Sequence, residues 1–139
     1  MTAAELTAVI RRDRLAVVST VADDGAPQGA VVGFAVSDDL EIVFDTLAST
    51  HKLHNLKRDP RIALVIGWDD EVTVQLEGRA DLPTGEELQR LRDCYFAVFP
   101  DGHARLSWPG ITHVRVRPTW ARLSDFKQNP PRIVELGLP

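Results

Sequence analysis

Between Asp45 and Lys52 the chain reads Asp-Thr-Leu-Ala-Ser-Thr-His-Lys. Three hydroxyls, an imidazole and an ammonium group therefore fall close together, and this combination suits a phosphate. Lys52 offers a compact positive charge, and Thr46, Ser49 and Thr50 offer neutral hydroxyl donors. His51 offers a ring N–H, and near a phosphate dianion it can gain charge as well. If the segment leaves a strand and opens a helix, the first backbone N–H groups add partial positive charge at the same place. The same residues also serve a plain surface helix, with Ser49 or Thr50 as its cap and Lys52 in solvent.

The other reactive residues are sparse. His51 and His54 are three apart, a helical spacing that can put two ligands on one metal, but Asp45 is the nearest third candidate and the metal reading is not favoured. No Gly-x-Ser-x-Gly string supports acyl transfer, and no glycine-rich loop cradles a nucleotide. Cys94 is the only cysteine, which excludes an internal disulfide and a four-cysteine zinc site. It reads as a small buried hydrophobe. Trp68, Trp108 and Trp120 read as core or interface residues, and Arg115, Arg117 and Arg122 as a solvated face.

Short elements must position these groups. Thr2 and Glu5 form a capping box ahead of a helix to about Arg12. Leu15 to Val21 is apolar and β-branched, and Asp23 to Pro27 breaks it. Strands follow from about Gln28 to Val36 and from Leu40 to Phe44, so 15–44 reads as a three-stranded meander. Thr50 to Arg58 is a short helix that Asp59-Pro60 ends. Arg61–Trp68 and Glu71–Leu82 are strands, the second alternating Val72, Val74 and Leu76 with polar neighbours. Thr84 to Glu87 reads as a second capping box, opening a helix to about Val98. Ile111–Arg117 and Thr119–Asp125 are two further strands, and the tail is extended. Six or seven antiparallel strands with short inserted helices should curl into a small barrel, which hides the sheet edges.

A chain of 139 residues suits one domain, 1–139, with a core of its own. Sixteen basic residues against 20 acidic ones leave a charge of −4, which excludes a protein built to coat nucleic acid. No signal peptide is visible, and no apolar run approaches the roughly 20 residues that span a bilayer. The expectation is a cytoplasmic protein with neither a nucleic-acid nor a membrane partner.

Ordered strings along the chain carry a resemblance. They are Leu15-Ala-Val-Val-Ser-Thr20, Asp24-Gly-Ala-Pro27, Val43-Phe-Asp-Thr46, Ser49-Thr-His-Lys52, Asn55-Leu56, Asp59-Pro-Arg-Ile62 and Val74-Gln-Leu-Glu-Gly-Arg-Ala80. Together they resemble the pyridoxamine 5′-phosphate oxidase-like family of FMN-binding split barrels. The resemblance implies a mainly β split barrel with short helices. It also implies a homodimer with two FMN sites at the subunit interface, acting as an oxidoreductase on a small molecule. Ala30, Val31, Val32 and Gly33, in a stretch that runs to Ala35, would lie along the flavin ring and ribityl chain. The family's phosphate loop corresponds to Asp45, Thr46, His51 and Lys52, with Ser49 and Thr50 inside it. Thr73 or Gln75 would face the ring from a later strand.

This chain departs from the oxidase at three places. Ala30 and His51 stand where the oxidase has arginine, and Trp120-Ala-Arg122-Leu stands near its C-terminal Arg-x-His motif. The resemblance therefore does not carry over pyridoxamine phosphate as the substrate. Two alternatives accompany FMN. One is a deazaflavin-dependent reductase, whose phosphodiester tail would use Lys52, Lys57 and Arg58. The other is a non-catalytic flavin, haem or tetrapyrrole module with His51, His54, His103 or His113 as axial ligand.

Overall fold

A computed structural model describes all 139 residues. The fold is mainly β, a curled antiparallel sheet with short helices, as expected. Helix α1 (Ala3–Ile10) opens with the expected capping box. The Glu5 N–H donates to the Thr2 hydroxyl at 3.1 Å, and the Thr2 N–H donates to Glu5 at 2.7 Å. The strands are β1 (Leu15–Val21), β2 (Pro27–Gly33), β3 (Ala35–Val36) and β4 (Ile42–Leu47), then β5 (Arg61–Ile66), β6 (Val72–Asp81), β7 (Ile111–Asp125) and β8 (Arg132–Gly137). Helix α2 (His51–Arg58) follows β4, while α3 (Gly85–Val98) and the single turn α4 (Gly102–Arg105) lie between β6 and β7. No helix is long and apolar enough to cross a membrane.

The sheet order is β2-β1-β5-β6-β7-β4-β3, with β8 added on β7. Its two edges, β2 and β3, are separated in the chain by Phe34 alone. The sheet must therefore curl until its edges meet. Phe34 is 1% exposed and sits in the main core with Phe44, Leu53, Leu64 and Leu76. The anticipated meander is corrected accordingly. β1 and β2 do form a hairpin, but β4 pairs with β3 and β7 and not with β2.

Other differences have local causes. Leu40 takes a positive φ of 61° in the turn, so β4 starts two residues later than expected and runs on to Leu47. The strands expected on either side of Pro118 are one, because a bulge at Glu77/Gly78 lets β6 follow β7 past the proline. Gly78 is obligatory there, since a Cβ would strike the Arg117 carbonyl. The tail pairs as β8, which makes eight strands. Thr84 is the N-cap residue of α3, but its side chain makes no capping bond.

Arg115 is the largest correction to the side-chain reading. It is 5% exposed and lies beneath α3 instead of on a solvated face. Its guanidinium donates to both oxygens of Asp81, at 2.8 and 2.6 Å. It also reaches Glu41 at 3.2 Å and Glu87 at 2.7 Å. Glu41 is gripped a second time by Arg90, at 2.8 and 2.9 Å. Arg90, together with Ser37 and Arg115, holds the Glu41 carboxyl down to about 2 despite its burial. The network ties α3 to β6, β7 and the turn just before β4, over a small second core of Ala35, Val43, Leu91, Tyr95 and Phe96.

Phe34→Ala should destabilise the fold by about 3–5 kcal/mol, the range for deleting a buried aromatic ring. Urea denaturation measures this, and a change below about 1 kcal/mol would show that the edges close without it.

Candidate functional site

The turn from β4 into α2 builds the centre of the site. Successive residues of a strand face opposite sides. Thr46 and Asp45 therefore diverge. The Thr46 and Thr50 hydroxyls lie 3.0 Å apart, and the Thr50 hydroxyl donates to the Leu47 carbonyl at 2.9 Å. Thr50 also caps α2 by accepting from the Leu53 N–H. Both hydroxyls thus shape the loop. Asp45 turns to the other side, towards α3, where it accepts from Arg105 at 2.8 Å and from the Tyr95 hydroxyl at 3.1 Å. Burial, with Asp45 beside it, pushes the Tyr95 phenol up to about 12.

Ser49, His51 and Lys52 remain available. Ser49 and His51 are exposed, and Lys52 is half-buried with no ion pair. His51 and Lys52 line a cleft of about 340 Å³ with Thr20, Gln28, Gly29 and Ala30. One wall is the start of α2 and the other is the start of β2. Asn55, 2% exposed, fixes their spacing. Its amide donates to the Thr20 hydroxyl at 3.0 Å and to the Gln28 side chain at 2.8 Å. Asp23 adds a clamp at the hairpin tip, where it bonds His54 at 3.2 Å and Arg58 at 2.8 Å. Arg58 also donates to the Val21 carbonyl.

Thr20, Gln28 and Gly29 carry no local sequence signal of this role. Asn55 does carry one, because a polar residue between Leu53 and Leu56 on a short helix points inward. A larger cleft of about 470 Å³ shares Thr20 and includes Arg61 and Arg79. Arg61 is already held by Asp59, at 2.6 Å.

The flavin-contact candidates divide by sheet face. Val32 faces the core and Ala30 packs against it, whereas Val31 is 60% exposed on the outer face. Gly33 faces outward too, and the Phe99 ring lies where its side chain would be, 2.8 Å from an ideal Cβ. Thr73 and Gln75 occupy the outer face of β6. Strand register lines up Val31, Val17, Val65 and Gln75 across four strands. At about 4.8 Å per strand, Val31 and Gln75 stand about 14 Å apart.

The histidines are dispersed. His54 is committed to Asp23, His103 stacks on Phe96 at 4.0 Å, and His113 is 3% exposed beneath α3. No three His, Cys, Asp or Glu side chains converge as metal ligands.

Residues 2–124 match the family model for pyridoxamine 5′-phosphate oxidase. The chain belongs to the pyridoxamine 5′-phosphate oxidase family. It is 31% identical over 136 residues to the pyridoxine/pyridoxamine 5′-phosphate oxidase of Cupriavidus necator, covering 91% of this chain and 62% of the relative. The chain thus spans about three-fifths of the length of the curated oxidase-family relatives it matches. Among solved structures, a heme binding protein from Mycobacterium smegmatis aligns with a TM-score of 0.84 at 19% identity, over 99% of this chain and 58% of that one. A pyridoxamine 5′-phosphate oxidase-related, FMN binding protein from Nostoc punctiforme gives 0.69 at 12% identity, over 96% of this chain and 91% of that one. At such identities the likeness is one of fold, and it is the split barrel of the oxidase family.

One buried group behind the site sets a pH dependence. His113 Nε2 is buried without a partner, and Arg92 approaches the Nδ1 side at 3.5 Å. Burial, reinforced by Arg92, pulls the imidazole below its ordinary value of 6.5. The unfolded chain therefore takes up the proton first. The stability contributed by neutral His113 is complete above about 6.5 and is lost as pH falls through the window below it. His113→Gln should flatten the fall in stability between about pH 6.5 and 5. Chemical denaturation across that range measures the difference, and equal slopes in the two proteins would overturn it.

Proposed function

We propose that this chain binds FMN and works as a flavin-dependent oxidoreductase on a small molecule. We further propose that it does so as a cytoplasmic homodimer with the cofactor at the subunit interface. The observation that carries the reading is the unpaired Lys52 beside His51 in the β2–α2 cleft of an oxidase-family chain.

The donor set there fits a phosphate. Lys52 supplies a charge that no carboxylate of this chain neutralises, and the exposed Ser49 lies on the turn that leads into it. Thr46 and Thr50 fix the loop from within, and Asn55 holds its two walls apart. Asp45 is turned away, so no negative charge from this loop faces the cleft. Bound flavin would supply the electron-transfer chemistry. The residues of this chain bind and orient it, and keep the phosphate end fixed.

The outer sheet face supports the dimer. Val31, Val17 and Val65 form a short apolar row that ends at Gln75. A ring seated along β2 is about three strands from Gln75 of the same chain, so a Gln75 that meets it belongs to a second copy. For the deazaflavin alternative, Arg58 is already held by Asp23 and the Val21 carbonyl, which leaves Lys57, exposed on α2 and outside the cleft lining, as the extra cation. The histidine-ligand alternative finds His113 sealed beneath α3.

Lys52→Ala should weaken FMN binding by about 1.5–3 kcal/mol, the general worth of a hydrogen bond to a charged group. Titration of flavin fluorescence with the purified protein gives the dissociation constants. An unchanged constant would place the phosphate elsewhere, and the absence of any flavin binding would refute the proposed function.

A further inference from the structure

Only two titratable side chains line the β2–α2 cleft, Lys52 and His51. The remaining lining residues are Thr20, Gln28, Gly29 and Ala30, which carry no charge. Nothing from β1, β2 or the 47–50 turn therefore offers His51 a carboxylate. The nearest acidic group on the adjoining hairpin, Asp23, is taken by His54 and Arg58. His51 is exposed and makes no hydrogen bond within the chain. With a neutral imidazole the cleft holds a single positive charge, from Lys52, which leaves the second charge of a phosphate monoester uncompensated.

We propose that His51 is a proton-linked anchor, taking up one proton when a phosphate monoester dianion enters the cleft. The inference rests on the flavin reading above, because it needs the phosphate to sit beside Lys52. The balance is one proton. Where the imidazole is neutral, it and the free dianion combine with one proton from water to give an imidazolium–dianion pair. Two positive charges then face two negative ones. A phosphodiester, with one negative charge, is already matched by Lys52 and draws the proton far less. His51 thereby makes the cleft selective for a terminal phosphate over a diester tail.

The consequence is a pH profile with a defined shape. The second proton of a phosphate monoester leaves near about 6. FMN affinity should therefore pass through a maximum as pH rises. It should fall on the acid side, where the phosphate monoanion must lose a proton to pair. It should also fall on the alkaline side, where the imidazole must gain one. An opposite charge a few ångströms away favours the charged imidazole, so affinity should drop roughly 10-fold from pH 6.5 to 8.5. Arginine at position 51 would carry its charge throughout, and glutamine would carry none.

The test is FMN titration by fluorescence quenching at pH 6.5, 7.5 and 8.5, with riboflavin as the probe lacking phosphate. The variants are His51→Gln, His51→Arg and His54→Gln. The expected result is an alkaline fall for FMN in the unaltered protein and in His54→Gln, with none in either His51 variant and none for riboflavin. FMN binding that is flat above pH 6.5, or a fall that survives in His51→Gln, would overturn the inference and leave the flavin reading intact. A protein that binds neither flavin at any pH would overturn both. Because His51 is a surface position, the variants should fold, and a circular dichroism melt checks that they do.

Discussion

The covalent link through Phe34 is the constraint on which the rest of this fold depends. The strands on its two sides are the opposite edges of one sheet. A flat or gently twisted sheet cannot satisfy that connection, because its edges would stand several strand widths apart. Curling is therefore imposed by connectivity as well as by the need to hide edges. The buried Phe34 ring places the junction in the core. Closure also fixes the neighbourhood of β2, whose free side then faces the start of α2.

That neighbourhood holds the candidate cleft. Asn55 spans from α2 to the β1–β2 hairpin, and Asp23 clamps the hairpin tip to the next turn of the helix. Lys52 and His51 thus stand against a wall held by side chains that do not themselves enter the cleft. On the far side of β4, Asp45 joins Arg105 and Tyr95, and the buried Arg115 network binds α3 to β6, β7 and the turn before β4. The loop is held from both faces of one strand. Thr46 works on one face and Asp45, one residue earlier, on the other.

Much of this was legible in the residues. An apolar β-branched run marked β1, alternation marked β6, Thr2 and Glu5 marked α1, and Asp59-Pro60 marked the end of α2, because each of these signals is local. The path of the sheet was not legible: periodicity says that a stretch is a strand but not which strand it meets. Phe34 looked like one more residue of a long strand, and Pro118 like a break, because a bulge on the partner strand has no signature in the strand it accommodates. Arg115 looked solvated because its burial depends on Glu41, Asp81 and Glu87, which arrive from distant parts of the chain. The string from Asp45 to Lys52 was visible as a set of residues. Its division into those that line the cleft and those that build the turn came only from the geometry, as with Thr50 and Asp45.

The contact between Phe99 and Gly33 bears on what can lie along β2. The space above Gly33 belongs to the end of α3, not to the strand. The strand therefore does not decide how far along β2 a planar molecule can extend. That limit is set by a helix anchored through charged groups at its other end, so an altered ion pair near Glu87 or Arg90 can change the length of open strand surface without touching it.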